Sequence, residues 1–169
     1  MALIFLRHTE PTGASGLCYG RTDLPLIDTY HADFTHLANT LPPIERIVSS
    51  PLSRCHLLAA SIANTRNIPL TTNPDLIEMD FGKWEGVPWN DLPRHELDQW
   101  ADDFNNARPH GGESVAQLAT RVRRALDNTT AEPTLWVSHM GVYRAAAWHL
   151  GHDDPWNAKL DFGTFRELA

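Results

Sequence analysis

Four residues of this sequence have the types and spacing to hold an oxyanion: Arg7, His8, Arg54 and His139. Arg7 and His8 close an apolar run, Ala2-Leu3-Ile4-Phe5-Leu6, and His139 closes a second, Thr134-Leu135-Trp136-Val137-Ser138. Runs of that length read as buried strands, and parallel α/β sheets carry their chemistry just beyond the strands' carboxyl ends. In a regular strand Arg7 and His8 would face opposite sides, but at the turn that ends the strand both can reach one pocket. Arg54 comes after Ser49-Ser50-Pro51, where a short strand hands over to a helix. The first turn of a helix favours an anion through its free N–H groups and its macrodipole. Two guanidinium forks and two imidazoles around such a turn suit a phosphate or sulfate dianion, because each fork can hold two oxygens.

The elements that must position these groups follow from periodicity. Residues 29–40 show Tyr30, Phe34, Leu37 and Ala38 at helical spacing and stop at Pro42-Pro43. Ile44 to Val48 reads as a strand, and a serine before Pro51 as the N-cap of a helix that runs to about Asn64. Leu70 to Thr72 suits an edge strand, and Leu76 onward a short strand that enters the glycine-bearing Phe81–Gly86 loop. Residues 87–109 mix Trp89, Leu92, Leu97, Trp100 and Phe104 with acidic residues, the pattern of one or two helices standing off the sheet as a lid. Pro109 to Ser114 forms a turn that launches a helix over 114–128, with Ser114 as cap and Glu113 favouring the dipole. A helix over 142–150 and a last strand from Leu160 to Leu168 complete the reading. The alternation predicts a three-layer α/β/α sandwich with a mostly parallel sheet, in one domain over 1–169 with a helical lid insertion at about 87–110.

Composition narrows the function classes. At 42% hydrophobic and 21% charged residues the chain has the make-up of an ordinary globular domain. A net charge of −7 argues against a general binder of nucleic acid or anionic membrane, which needs a basic surplus. Cys18 and Cys55 have neither C-x-x-C nor zinc-finger spacing, and Cys55 lies in an apolar helical stretch as a small buried residue. The apolar start is too short for a signal peptide and no segment is long enough to span a bilayer, so a cytoplasmic location is expected.

Taken together, Leu6-Arg7-His8-Thr9-Glu10, Ser49-Ser50-Pro51-Leu52-Ser53-Arg54, Phe81-Gly82-Lys83-Trp84-Glu85-Gly86, Gly112-Glu113-Ser114 and Val137-Ser138-His139-Met140-Gly141-Val142 resemble the successive motifs of the histidine phosphatase superfamily. That family includes the cofactor-dependent phosphoglycerate mutases and many phosphomonoesterases, and the resemblance is strongest to its α-ribazole phosphatase and broad-specificity phosphatase branch. It implies that His8 is a nucleophile that becomes phosphohistidine, that Arg7, Arg54 and His139 bind the phosphoryl oxygens, and that Glu78 donates the proton to the leaving alcohol. The chemistry agrees: a neutral imidazole can attack phosphorus in line, and positive side chains can stabilise the equatorial oxygens without a metal or cofactor. The implied substrate is a small-molecule phosphomonoester, α-ribazole 5′-phosphate among the candidates, and the resemblance leaves room for a homodimer.

The sequence departs from the family in two places. Thr9 stands where a glycine usually comes after the nucleophile, and a side chain there cannot take glycine's φ freely. The family's nearby phosphate-binding asparagine has no counterpart in Pro11 to Gly16, leaving Thr12, Arg21 or Thr22 to replace it. His110, before Gly111-Gly112, is a candidate for the pocket rim, whereas His31, His36, His95 and His152 lie on polar patterns and His56 reads as structural. His8, Glu78 and His139 could serve as metal ligands, but the two arginines would repel a cation there. The rival activities are a mutase, which would want a more basic lid than Arg94 and Arg108 supply, a phosphohistidine-protein phosphatase, and a non-catalytic phosphate-binding module.

Overall fold

A computed structural model describes residues 2–169 of the chain. Its sheet is built from β1 (Leu3–Arg7), β2 (Arg46–Ser49), β3 (Leu70–Thr72), β4 (Thr134–Ser138) and β5 (Phe165–Glu167), in the spatial order β3-β2-β4-β1-β5. All pairings are parallel except that of β5, which runs antiparallel to β1 at the edge. The helices are α1 (Tyr30–Thr40), α2 (Ser53–Arg66), α3 (Arg94–Asp102), α4 (Val115–Asp127) and α5 (Met140–His149).

The alternation of strand side chains makes the layers. Leu3 and Phe5 of β1 and Trp136 of β4 pack with Leu118 and Val122 of α4 and Ala145 and Ala146 of α5. Ile4, Leu6, Leu135 and Val137 point the other way, onto Phe34 and Leu37 of α1 and Leu58 and Ile62 of α2. Burial on both faces is why β1 and β4 read as unbroken apolar runs. The expected three-layer α/β architecture is what the chain adopts.

Several local expectations are corrected. No serine side chain caps α2: its N-cap is Leu52, and the Ser53 N–H is taken by Asp23 Oδ2 at 2.8 Å, a carboxylate thirty residues upstream. The stretch after Leu76 is not a strand. Pro74–Leu76 is a 3₁₀ turn, and the segment beyond it has N–H groups satisfied by side chains, Met79 N–H by Glu78 and Phe81 N–H by Glu85. The last strand shrinks to Phe165–Glu167. Ser114 does cap α4, in a full capping box with Gln117, but Glu113 does not serve the helix dipole. Its carboxylate pairs with the Arg121 guanidinium at 2.7 and 2.9 Å, and Arg121 also donates to the Asp75 carbonyl, which ties the 75–80 segment to α4.

Candidate active site

Register brings the two histidines together. Arg7 of β1 lies opposite Ser138 of β4, so the next residues along each strand, His8 and His139, emerge side by side with ring centroids 5.1 Å apart. On the other side of β4, Ser49 pairs with Val137, and Ser50 beyond it reaches His139, its Oγ 2.8 Å from Nε2. The carboxyl ends of three neighbouring strands thus meet at one place.

His8 is buried, and its Nδ1 lies 2.7 Å from the Thr9 carbonyl oxygen. A carbonyl only accepts, so Nδ1 carries the proton and Nε2 keeps its lone pair. Burial first, and the Arg54 and Arg7 charges after it, lower the His8 pKa to about 3 against the pull of that hydrogen bond. At neutral pH the ring is therefore a neutral base. His139 is fully enclosed, and burial together with the neighbouring cations holds it well below the ordinary histidine range. Cys55 Sγ packs against it, 3.4 Å from Nε2, a contact for which a small buried residue on α2 is suited.

Both arginines are fixed along one edge. Arg7 donates through Nη1 to the Leu160 carbonyl at 2.8 Å and lies over the Phe162 ring. Arg54 is completely buried and donates through Nη1 to the Thr22 carbonyl at 2.7 Å and through Nη2 to the Gly20 carbonyl. The Nε–H groups of Arg7 and Arg54 are buried and have no acceptor among the described residues. Buried charged donors seldom go unpaired in proteins, and an oxyanion beside His8 would satisfy both. The head of α2 does not contribute as its position suggests. Its Leu52, Ser53, Cys55 and His56 N–H groups are bonded to Ser50, Asp23 and the Leu52 carbonyl.

Glu78 lies beside these groups on the wall of a cavity of about 480 Å³. Its Oε1 accepts from Met79 N–H at 2.9 Å and its Oε2 from Gly141 N–H at 3.0 Å, at the start of α5. Arg7, His8, Arg54 and Glu78 line that cavity, and His139 sits behind His8. The remaining wall is largely aromatic, with Phe81, Trp89, Trp100, Phe104 and Trp156 prominent. Trp89 and Trp100 stack at 19° with centroids 6.5 Å apart, and Glu96 anchors α3 by accepting from the Trp84 indole N–H at 2.7 Å.

The other candidates lie elsewhere. Thr9 is buried beside His8 on the α1 side, outside the cavity lining, and its φ is not positive, so a threonine is accommodated without strain. Thr12 and Arg21 are exposed and also outside the lining. Thr22 points its hydroxyl at Glu85, 2.8 Å away, while its carbonyl holds Arg54. His110 is enclosed against Trp84 instead of standing at the rim, and its Nδ1 accepts from Gly112 N–H at 2.9 Å. Sequence reasoning missed Arg144, which lines the cavity one turn beyond Gly141 on α5 and donates through Nε to the Ala158 carbonyl. Its spacing of four and three residues from Met140 and Gly141, which follow His139, puts it on the same face of the helix and was the available signal.

A parallel sheet that gathers two arginines and two histidines at its carboxyl edge is the arrangement of an α/β enzyme handling phosphoryl groups. The profile of the histidine phosphatase superfamily (branch 1) matches residues 3–164, and the chain belongs to that family; it is an enzyme of the phosphatase class. It is 31% identical over 152 residues to the adenosylcobalamin/alpha-ribazole phosphatase of Salmonella typhimurium, covering 84% of this chain and 75% of that protein. The crystal structure of the alpha-ribazole phosphatase from Shigella flexneri superposes with a TM-score of 0.83 at 26% identity, over 98% of this chain and 88% of that one. The crystal structure of phosphoglycerate mutase from Thermus thermophilus superposes with a TM-score of 0.79 at 29% identity, over 100% and 99% of the two chains.

Proposed function

We propose that the protein is a metal-independent phosphomonoesterase that works through a phosphohistidine on His8 and acts on a small-molecule ester such as α-ribazole 5′-phosphate. The observation that carries the reading is the pairing of a neutral His8, with its Nε2 lone pair free, with the two buried, unpartnered guanidinium Nε–H groups of Arg7 and Arg54. In the first step Nε2 attacks phosphorus, the P–N bond forms, and the P–O bond to the leaving alcohol breaks. Arg7 and Arg54 hold the equatorial oxygens, His139 backs the nucleophile from behind, and Glu78 supplies the proton the alkoxide takes. Water then attacks phosphohistidine, with Glu78 taking the proton, and releases inorganic phosphate. Residues 87–110 act as the lid of what we read as one domain, supported by their aromatic wall over the site.

That wall favours a leaving group with a flat apolar body over a compact polyanion, which supports hydrolysis over mutase transfer. Arg144 is the observation on the mutase side, since it adds a cation to the cavity. A substrate panel in the presence of EDTA decides. We expect α-ribazole 5′-phosphate to exceed 3-phosphoglycerate, sugar phosphates and phosphohistidine peptides by about tenfold or more in kcat/KM, a discrimination that apolar contacts of about 1–3 kcal/mol can supply. Phosphoryl transfer between the hydroxyls of phosphoglycerate as the best reaction, or activity lost on chelation and restored by a divalent ion, would overturn it.

The anchoring of Glu78 yields a further expectation. A Cβ on Gly141 would lie 2.3 Å from Glu78 Oε1, so Gly141→Ala must push the carboxylate aside. Alanine in a helix is otherwise better than glycine by roughly 0.5–1 kcal/mol. The variant should therefore keep or raise its thermal midpoint while losing activity on alkyl phosphates, which thermal unfolding and kinetics on the same preparation would show.

A further inference from the structure

Glu85 directly follows the 3₁₀ turn Gly82–Trp84, half-buried and outside the cavity lining. Its Oε1 accepts from the N–H groups of Arg21 at 2.9 Å, Gly20 at 3.1 Å and Phe81 at 3.2 Å. Its Oε2 accepts from Gly20 N–H at 2.9 Å, Thr22 N–H at 3.4 Å and the Thr22 hydroxyl at 2.8 Å. Burial alone would raise the Glu85 pKa, but these donors outweigh it and leave the group below the ordinary glutamate value.

The loop so gathered is the one that grips Arg54. The peptide unit joining Gly20 to Arg21 gives its N–H to Glu85 and its C=O to Arg54 Nη2, and the Thr22 carbonyl takes Nη1. A carboxylate and a guanidinium are thus joined through an aligned peptide dipole instead of by contact. Such chains of hydrogen bonds polarise one another. Arg54 Nη1 also meets Asp23 Oδ1 at the longer distance of 3.5 Å, so these contacts fix the Nη edge of the fork and leave Nε–H unpaired. The loop has no slack, since a Cβ on Gly20 would lie 1.8 Å from the Met79 carbonyl oxygen.

We propose that Glu85 is a positioning residue for the phosphate site, holding Arg54 in place through the Gly20–Asp23 loop; this rests on the reading of Arg54 as a phosphoryl-binding group. The Phe81 bond extends the same carboxylate to the segment that bears Glu78, so one side chain ties together the loops of the anion-binding and proton-donating groups.

The test is the inhibition constant of orthovanadate against p-nitrophenyl phosphate in the native enzyme, Glu85→Gln, Arg54→Ala and the double variant. Glutamine keeps the shape but replaces one acceptor oxygen with an NH₂ group. Glu85→Gln should raise the constant about tenfold in the native background, the scale of a lost charge-assisted hydrogen bond. With Arg54 already removed, it should raise the constant by less than about twofold, because coupled residues do not add. A merely structural role would not produce that dependence on Arg54. Equal factors in both backgrounds, or none in the native enzyme, would overturn the proposal. An Arg54→Ala variant inhibited as well as the native enzyme would remove the phosphate reading itself, and does so without reference to Glu85. Should Glu85→Gln fail to fold, Thr22→Val removes only the exposed hydroxyl donor, and a rise of about threefold that vanishes in the Arg54→Ala background is expected on the same grounds.

Discussion

Replacing His8 by alanine is expected to abolish turnover of good and poor leaving groups alike, by roughly four orders of magnitude or more, as loss of a covalent nucleophile does elsewhere. The loss should be indifferent to the leaving group because P–N bond formation precedes every later step, and no other free imidazole faces the cavity among the described residues. Initial rates on p-nitrophenyl phosphate and an alkyl phosphate measure it. The same substitution should alter acid stability in a definite sense. With a pKa near 3 in the fold and an ordinary value of 6.5, His8 takes up its proton more readily when unfolded. Native stability therefore declines as pH falls from about 6.5 toward 3, and above that window the group contributes no slope. The alanine variant, offset by the cavity it leaves, should show a shallower decline by chemical denaturation across that range.

Glu78→Gln is expected to separate substrates. Proton donation is typically worth about 10²–10⁴-fold and matters where the leaving oxygen is basic. The variant should lose a factor in that range on alkyl phosphates and remain near native on p-nitrophenyl phosphate, whose phenolate departs unaided. The amide oxygen can still accept from Met79 or Gly141 N–H, so the side chain keeps one of its two anchors. Equal losses on both substrates would assign Glu78 to binding or structure.

Much of this arrangement is legible in the sequence, and the reason is physical. β1 and β4 are buried on both faces, so their apolar runs and the polar residues ending them announce where the sheet's carboxyl edge lies. Ser114 with Gln117 is a purely local cap and is readable as one. Three of the misreadings involve partners well away in the chain. Asp23 displaces the serine cap of α2 from thirty residues away, Arg121 claims Glu113 from the far side of two helical turns, and Trp84 buries His110 where a rim was expected. The segment after Leu76 reads like a strand by pattern, yet its N–H groups bond to Glu78 and Glu85, a choice that depends on the loop of residues 20–22. Arg144 and Glu85 escape a reading by pattern for the same reason, since one acts through the shape of the cavity and the other through a peptide unit.

The central claim, covalent catalysis at His8, is tested most directly by rapid quenching during turnover of a phosphate ester labelled at phosphorus. The account predicts label bound to the protein that is lost in acid, survives base, maps to His8 and is absent from His8→Ala. Label that survives acid, or that persists undiminished in His8→Ala, would contradict it.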